Sequence, residues 1–165
     1  MKKIAILAAG LLTGIFFFQD ASAQEYKTAL GVRLSSAAPI VNNSVSIKQF
    51  VNEKMAIEGL LSFGDPLAFG LMAEFHKPLS AAGLQYFYGG GGYLGFIKTY
   101  DPNKLRNETN VNVGAQGIVG LDYKFPNVPL NLTLDWKPEL NIVSDINFEP
   151  AAIGFSARFT FGSNK

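Results

Sequence analysis

The chain has 165 residues, 48% of them apolar and 16% charged, with 17 glycines, 14 phenylalanines, 6 tyrosines, 1 tryptophan and no cysteine. Without cysteine there is no disulfide scaffold, no cysteine-ligated zinc and no thiol nucleophile. A formal net charge of +1 lacks the basic surplus of nucleic-acid binders, so no nucleic-acid partner is expected.

Lys2 and Lys3 precede an apolar stretch from Ile4 to Phe18, and Ala21-Ser22-Ala23 offers the small-x-small site of a signal peptidase. At about 1.5 Å per residue that stretch reaches roughly 22 Å, short of a hydrocarbon core of about 30 Å. Residues 1–23 are therefore expected to be a cleaved export signal, and residues 24–165 one domain. Removing Lys2, Lys3 and Asp20 leaves equal numbers of basic and acidic side chains. No later apolar run is long enough for a membrane helix, so a chain that spans a membrane must do so as a closed barrel.

Period-two alternation then recurs along the chain. It predicts strands over Tyr26–Ser35, Ser44–Phe50, Met55–Phe63, Leu67–Phe75, Leu84–Lys98, Val113–Phe125, Leu130–Ile142 and Ile153–Phe161. The seventh is the clearest, with Leu130, Leu132, Leu134, Trp136, Leu140 and Ile142 on one parity and Asn131, Thr133, Asp135, Lys137, Glu139 and Asn141 on the other. Pro138 cannot donate to a ladder and predicts a local break there. The fold expected is all-β, an eight-stranded antiparallel up-and-down transmembrane barrel.

Connections at 36–43, 99–111 and 144–150 are long, whereas 51–54, 80–83 and 126–129 are short; only Gly64-Asp65-Pro66 departs from the alternation. Outer-membrane barrels have long external loops and short periplasmic turns, so the odd connections are expected outside. A soluble ligand-binding barrel of lipocalin type would carry the same alternation with its faces reversed. The aromatic residues at the strand ends favour the membrane reading. Tyr26, Tyr86, Tyr88, Tyr123, Phe125, Phe159 and Phe161 fall at one rim, as an interfacial girdle would.

The opposite parity carries Lys27, Arg33, Lys48, Lys124, Lys137 and Arg158 with Glu58, Glu74, Asp122, Asp135 and Glu139. In a lumen wide enough only for side chains, such near-balanced charges are expected to pair and to form a plug. Gly90-x-Gly92-x-x-Gly95 matches a dinucleotide fingerprint as a string, but aromatic residues surround it and the required strand-to-helix turn is lacking. No cofactor or metal site is expected. His76 is the only histidine, and Ser62, Ser80 and Ser156 lie in no recognisable hydrolase motif around it.

The signal, the alternating strands, the turn Phe125-Pro126-Asn127-Val128-Pro129 leading into Leu132-Thr133-Leu134-Asp135-Trp136-Lys137-Pro138, and the final strand ending in Phe161 together resemble the small outer-membrane β-barrel domain family of OmpA/OmpX type. The resemblance covers essentially all of residues 24–165. It implies this fold, an outer-membrane location, contact with outer-membrane lipid and insertion by the barrel-assembly machinery, and it assigns little chemistry. The role expected is non-enzymatic, structural or surface-interaction, with an extracellular partner reached through 99–111. The alternatives are a lipid-modifying outer-membrane hydrolase and a soluble ligand-binding barrel.

Overall fold

The computed structural model describes residues 26–36, 40–63, 66–101, 105–143 and 146–163; the expected export signal lies outside them. Ten strands form: β1 (Tyr26–Ser35), β2 (Ser44–Phe50), β3 (Met55–Ser62), β4 (Leu67–Pro78), β5 (Leu84–Asp101), β6 (Arg106–Lys124), β7 (Leu130–Trp136), β8 (Glu139–Asn141), β9 (Asn147–Glu149) and β10 (Ile153–Ser163). Neighbours in sequence pair antiparallel from β1 to β6, β6 pairs with β7, β7 with β10, and β10 with β1, which closes the ring. β8 continues the line of β7 along β6, and β9 pairs with β8. The barrel therefore has eight staves, the last two of them broken.

Both breaks coincide with proline. β7 stops before Lys137-Pro138, where the imide cannot donate, and the Pro138 carbonyl still accepts from the Gly117 N–H at 3.0 Å. Pro150 separates β9 from β10, and Lys137 N–H donates to Ala152 O at 2.8 Å across the interruption. The expected connection 144–150 is thus partly strand.

The expected loop 99–111 is corrected more strongly. β5 and β6 stay in register from Leu84↔Tyr123 out to Asp101↔Arg106, so most of that segment is a hairpin ladder. The polar Asn and Thr residues there lack the apolar alternation of the wall because this part of the hairpin rises beyond it. β4 ends its pairing at Leu67↔Phe96, so Ile97–Asp101 rests on β6 alone. Alternate amides of Ile97–Asp101 should then exchange with solvent on the order of 100-fold faster than those of Gly89–Phe96, which have ladder partners on both sides. Uniform slow exchange across both segments, read by NMR, would refute this.

Outward residues form an apolar wall, interrupted on β5 and β6 where Gly90 is paired with Gly117 and Gly92 with Ala115. Leu30, Val32, Ile47, Leu61, Phe69, Leu71, Leu94, Val113, Val119, Leu121, Leu134, Trp136 and Phe155 are all exposed. Leu67 to Phe75, at about 3.3 Å per residue and a tilt near 40°, climbs roughly 20 Å, close to the apolar band of about 25 Å on membrane barrels. Among the described residues every exposed charged side chain lies beyond this wall, toward one rim or the other. Tyr26, Ser163 and the turns 51–54, 79–83 and 125–129 lie together at one rim, the terminal rim.

Candidate functional site

The distinctive chemistry lies inside the barrel, where inward residues of every stave meet. Arg33 on β1 grips Asp135 on β7 in two bonds, Nε to Oδ2 at 3.2 Å and Nη2 to Oδ1 at 2.5 Å. This fork geometry is the strongest ion-pair arrangement available to arginine. The guanidinium lies against Gly154, where any Cβ would collide with it.

A second group spans six staves. Lys48 Nζ on β2 lies 2.8 Å from Glu74, 3.4 Å from Asp122 and 3.9 Å from Glu58. Arg158 on β10 pairs with Glu58 through Nη2 and donates to Ser46 Oγ at 2.6 Å, Thr133 Oγ1 at 3.0 Å and Ser156 Oγ at 3.1 Å. Ser46 Oγ in turn donates to Glu58 at 2.5 Å, and Asn131 Nδ2 donates to Asp122 at 2.6 Å. These groups are buried, and Ser46, Thr133, Ser156 and Asn131 fill part of the hydrogen-bonding capacity that the charges leave open, while Glu58 Oε2 and Glu74 Oε1 accept no hydrogen bond.

Apolar layers cover this polar core at both ends. Toward the terminal rim, Phe50 meets Tyr26 edge-on at 5.1 Å and tilts against His76 at 4.8 Å, and His76 stacks on Phe87 at 5.1 Å. The Lys48 ammonium sits 4.5 Å above the Phe87 ring, so this layer also serves as a cation face. At the opposite rim Ile40 and Val41, just before β2, turn into the mouth of the barrel. Val41 is buried there in one cluster with Leu60, Ala68, Met72, Tyr93 and Ile118, which reaches down the barrel to Phe87. Glu139 holds this insertion by accepting from Ile40 N–H at 2.8 Å and Val41 N–H at 3.3 Å. Lys137 pairs with Glu139 and donates to Val41 O at 3.2 Å.

Of the charges assigned to the lumen by parity, Arg33, Lys48, Glu58, Glu74, Asp122, Asp135, Lys137, Glu139 and Arg158 are buried inside. Two placements are corrected. Lys27 is exposed, because alternation breaks at the start of β1 beside Gly162, whose φ of 72° bends the facing strand. Lys124 is only half-buried and caps the turn after β6, donating to Phe125 O and to Val128 O at 2.9 Å.

The same break corrects Tyr26, which is 5% exposed and faces inward, its hydroxyl 3.4 Å from Asp122. The remaining aromatic residues proposed for the girdle, Tyr86, Tyr88, Tyr123, Phe125, Phe159 and Phe161, are half-buried or exposed. Sequence reading missed the Ile40–Val41 insertion, since a single buried pair in a connection has no period to betray it.

His76 is enclosed in the aromatic layer with Nε2 3.1 Å from Glu74. Ser62 Oγ bonds Pro66 O and Ala68 N–H, and Ser156 bonds Arg158, so neither is aligned with the imidazole. Ser80 is exposed in the turn after β4. The glycine string lies within β5, with no helix after it. Among the described residues no cluster of His, Cys, Asp or Glu could hold a metal ion.

A solved structure of the N-terminal β-barrel domain of Pseudomonas aeruginosa OprF matches with a TM-score of 0.63 at 13% identity, over 83% of this chain and 100% of that one. The likeness is one of fold. This chain is a closed barrel of the same small eight-stranded type, in agreement with the resemblance read from its sequence. Neisserial surface protein A (NspA) also aligns, at a TM-score of 0.48 and 11% identity, over 81% of this chain and 93% of that one. No protein-family profile and no curated protein sequence matches.

Proposed function

We propose that the chain is an integral outer-membrane barrel with a plugged lumen and no catalytic step. It would serve a structural or surface-interaction role through the rim opposite Tyr26 and Ser163. The observation that carries this reading is the sorting of side chains: apolar residues outside along the whole wall, and paired charges inside. A ligand-carrying barrel in water needs the reverse. In this reading residues 1–23 direct export, the barrel-assembly machinery inserts the chain, outer-membrane lipid surrounds it, and the β5–β6 hairpin is where an extracellular partner would bind.

Expressed with residues 1–23 in a Gram-negative host, the protein should fractionate with outer membranes and change gel mobility on heating. Recovery as a soluble periplasmic protein would overturn the proposal. Reconstituted in planar bilayers, it should give no large, stable unitary current, because side chains fill an interior of this width and apolar layers cap both ends. Steady open-pore currents would refute the plug. Lipid A from cells with and without the protein should give the same mass spectrum; a protein-dependent acyl loss would support the hydrolase reading.

A further inference from the structure

Lys77, near the end of β4, pairs across the wall with Tyr86 on β5, and Phe75 pairs with Tyr88. These side chains stand on the outside, where the apolar wall gives way to the terminal rim. The Lys77 ammonium lies 6.0 Å from the Tyr86 ring centroid and 5.8 Å from that of Tyr88. The two rings are 6.5 Å apart and within 22° of parallel.

Ring faces attract a cation but supply no counter-charge. Among the described residues no carboxylate comes within ion-pair distance of Lys77. The surrounding rim is basic as well. Lys27 and Lys54 are exposed and Lys124 half-exposed there, against Glu53 as the exposed carboxylate among the described residues. Each charge buried inside the barrel has an ion-pair partner there, whereas this outer ammonium is left for something outside to match.

We infer that Lys77, Tyr86 and Tyr88 form a headgroup site for an anionic glycerophospholipid of the leaflet at the terminal rim. The ammonium faces the phosphodiester, the phenol hydroxyls are donors to its oxygens, and the acyl chains run along the wall past Phe75. The inference rests on the membrane reading above and adds a specific lipid contact to it.

The test is refolding of the full chain into phosphatidylethanolamine vesicles containing phosphatidylglycerol, mild extraction, and native mass spectrometry of the retained lipid. Lys77→Gln should lower retention of phosphatidylglycerol about fivefold, the usual worth of one lysine at an anionic leaflet. Lys77→Arg should preserve it, as should Lys98→Gln, the same charge loss at the opposite rim. Equal retention in Lys77→Gln and Lys98→Gln would overturn the site. So would Lys77-dependent capture of lipid A in preference to phosphatidylglycerol from vesicles holding both. Should Lys77→Gln fail to show the folded, heat-modifiable band, the paired Tyr86→Leu and Tyr88→Leu variant carries the test with the same expected loss, and unchanged retention there overturns it. Failure of the unsubstituted chain to insert would instead count against the membrane reading.

Discussion

Replacing Glu58 with alanine should cost about 3–5 kcal/mol of folding stability, the usual penalty for removing one partner of a buried ion pair. Glu58 is the carboxylate shared by Arg158 and Lys48 and the acceptor for Ser46. Its loss leaves Arg158, buried on β10, with only hydroxyl and amide partners. Lys48 is less affected because Glu74 and Asp122 still face it. Removing both members, as Glu58→Met with Arg158→Met, should cost clearly less than the sum of the single substitutions, since no uncompensated charge remains. Urea denaturation in lipid vesicles measures all three. A Glu58→Ala variant within about 1 kcal/mol of the parent would mean that water, not Glu58, solvates Arg158.

Leu134→Arg should destabilise the barrel by about 2–4 kcal/mol in a bilayer, the cost of arginine near the midplane of the lipid-facing wall. Leu134 is 54% exposed and paired between Leu121 on β6 and Phe155 on β10, so apolar side chains flank the site. Lumen carboxylates lie on the far side of the wall and cannot compensate. Ile146→Arg serves as the comparison, because Ile146 is 84% exposed in the connection at the opposite rim; it should stay within about 0.5 kcal/mol of the parent. In water both positions would tolerate arginine alike. Equal stability of the two variants in vesicles would therefore place water, not lipid, against Leu134.

Sequence carried the wall and the core well because both obey one rule. A residue's parity decides its face, so Lys48, Glu58, Glu74, Asp122 and Arg158 could be assigned to one compartment though they lie far apart along the chain. Parity fails where the backbone departs from simple pleating. A glycine at φ 72° near the end of β10 bends the strand facing Tyr26 and Lys27 and exchanges their environments, and nothing local to β1 announces it. Pairing partners were also illegible, since alternation says which side a residue faces but not what it meets there. That Glu139 would hold the backbone of Ile40 and Val41 depends on a connection folding back into the mouth. The outer part of the β5–β6 hairpin is illegible for the opposite reason: once clear of the wall, a strand can be polar on both faces and reads as a loop.

The ring closes by pairing β1 with β10, from Tyr26↔Ser163 to Ser35↔Gly154. β1 must therefore wait for β10, the far end of the ordered strands, before its open edge is satisfied. Until then every intermediate has two unpaired edges, each a template for mispairing with another chain. Loss of β10 would leave β1 and β7 as permanent edges, so a truncated chain is expected to aggregate rather than settle as a seven-stave barrel. A chain closed this way is exposed to mispairing for the whole interval before its two ends meet.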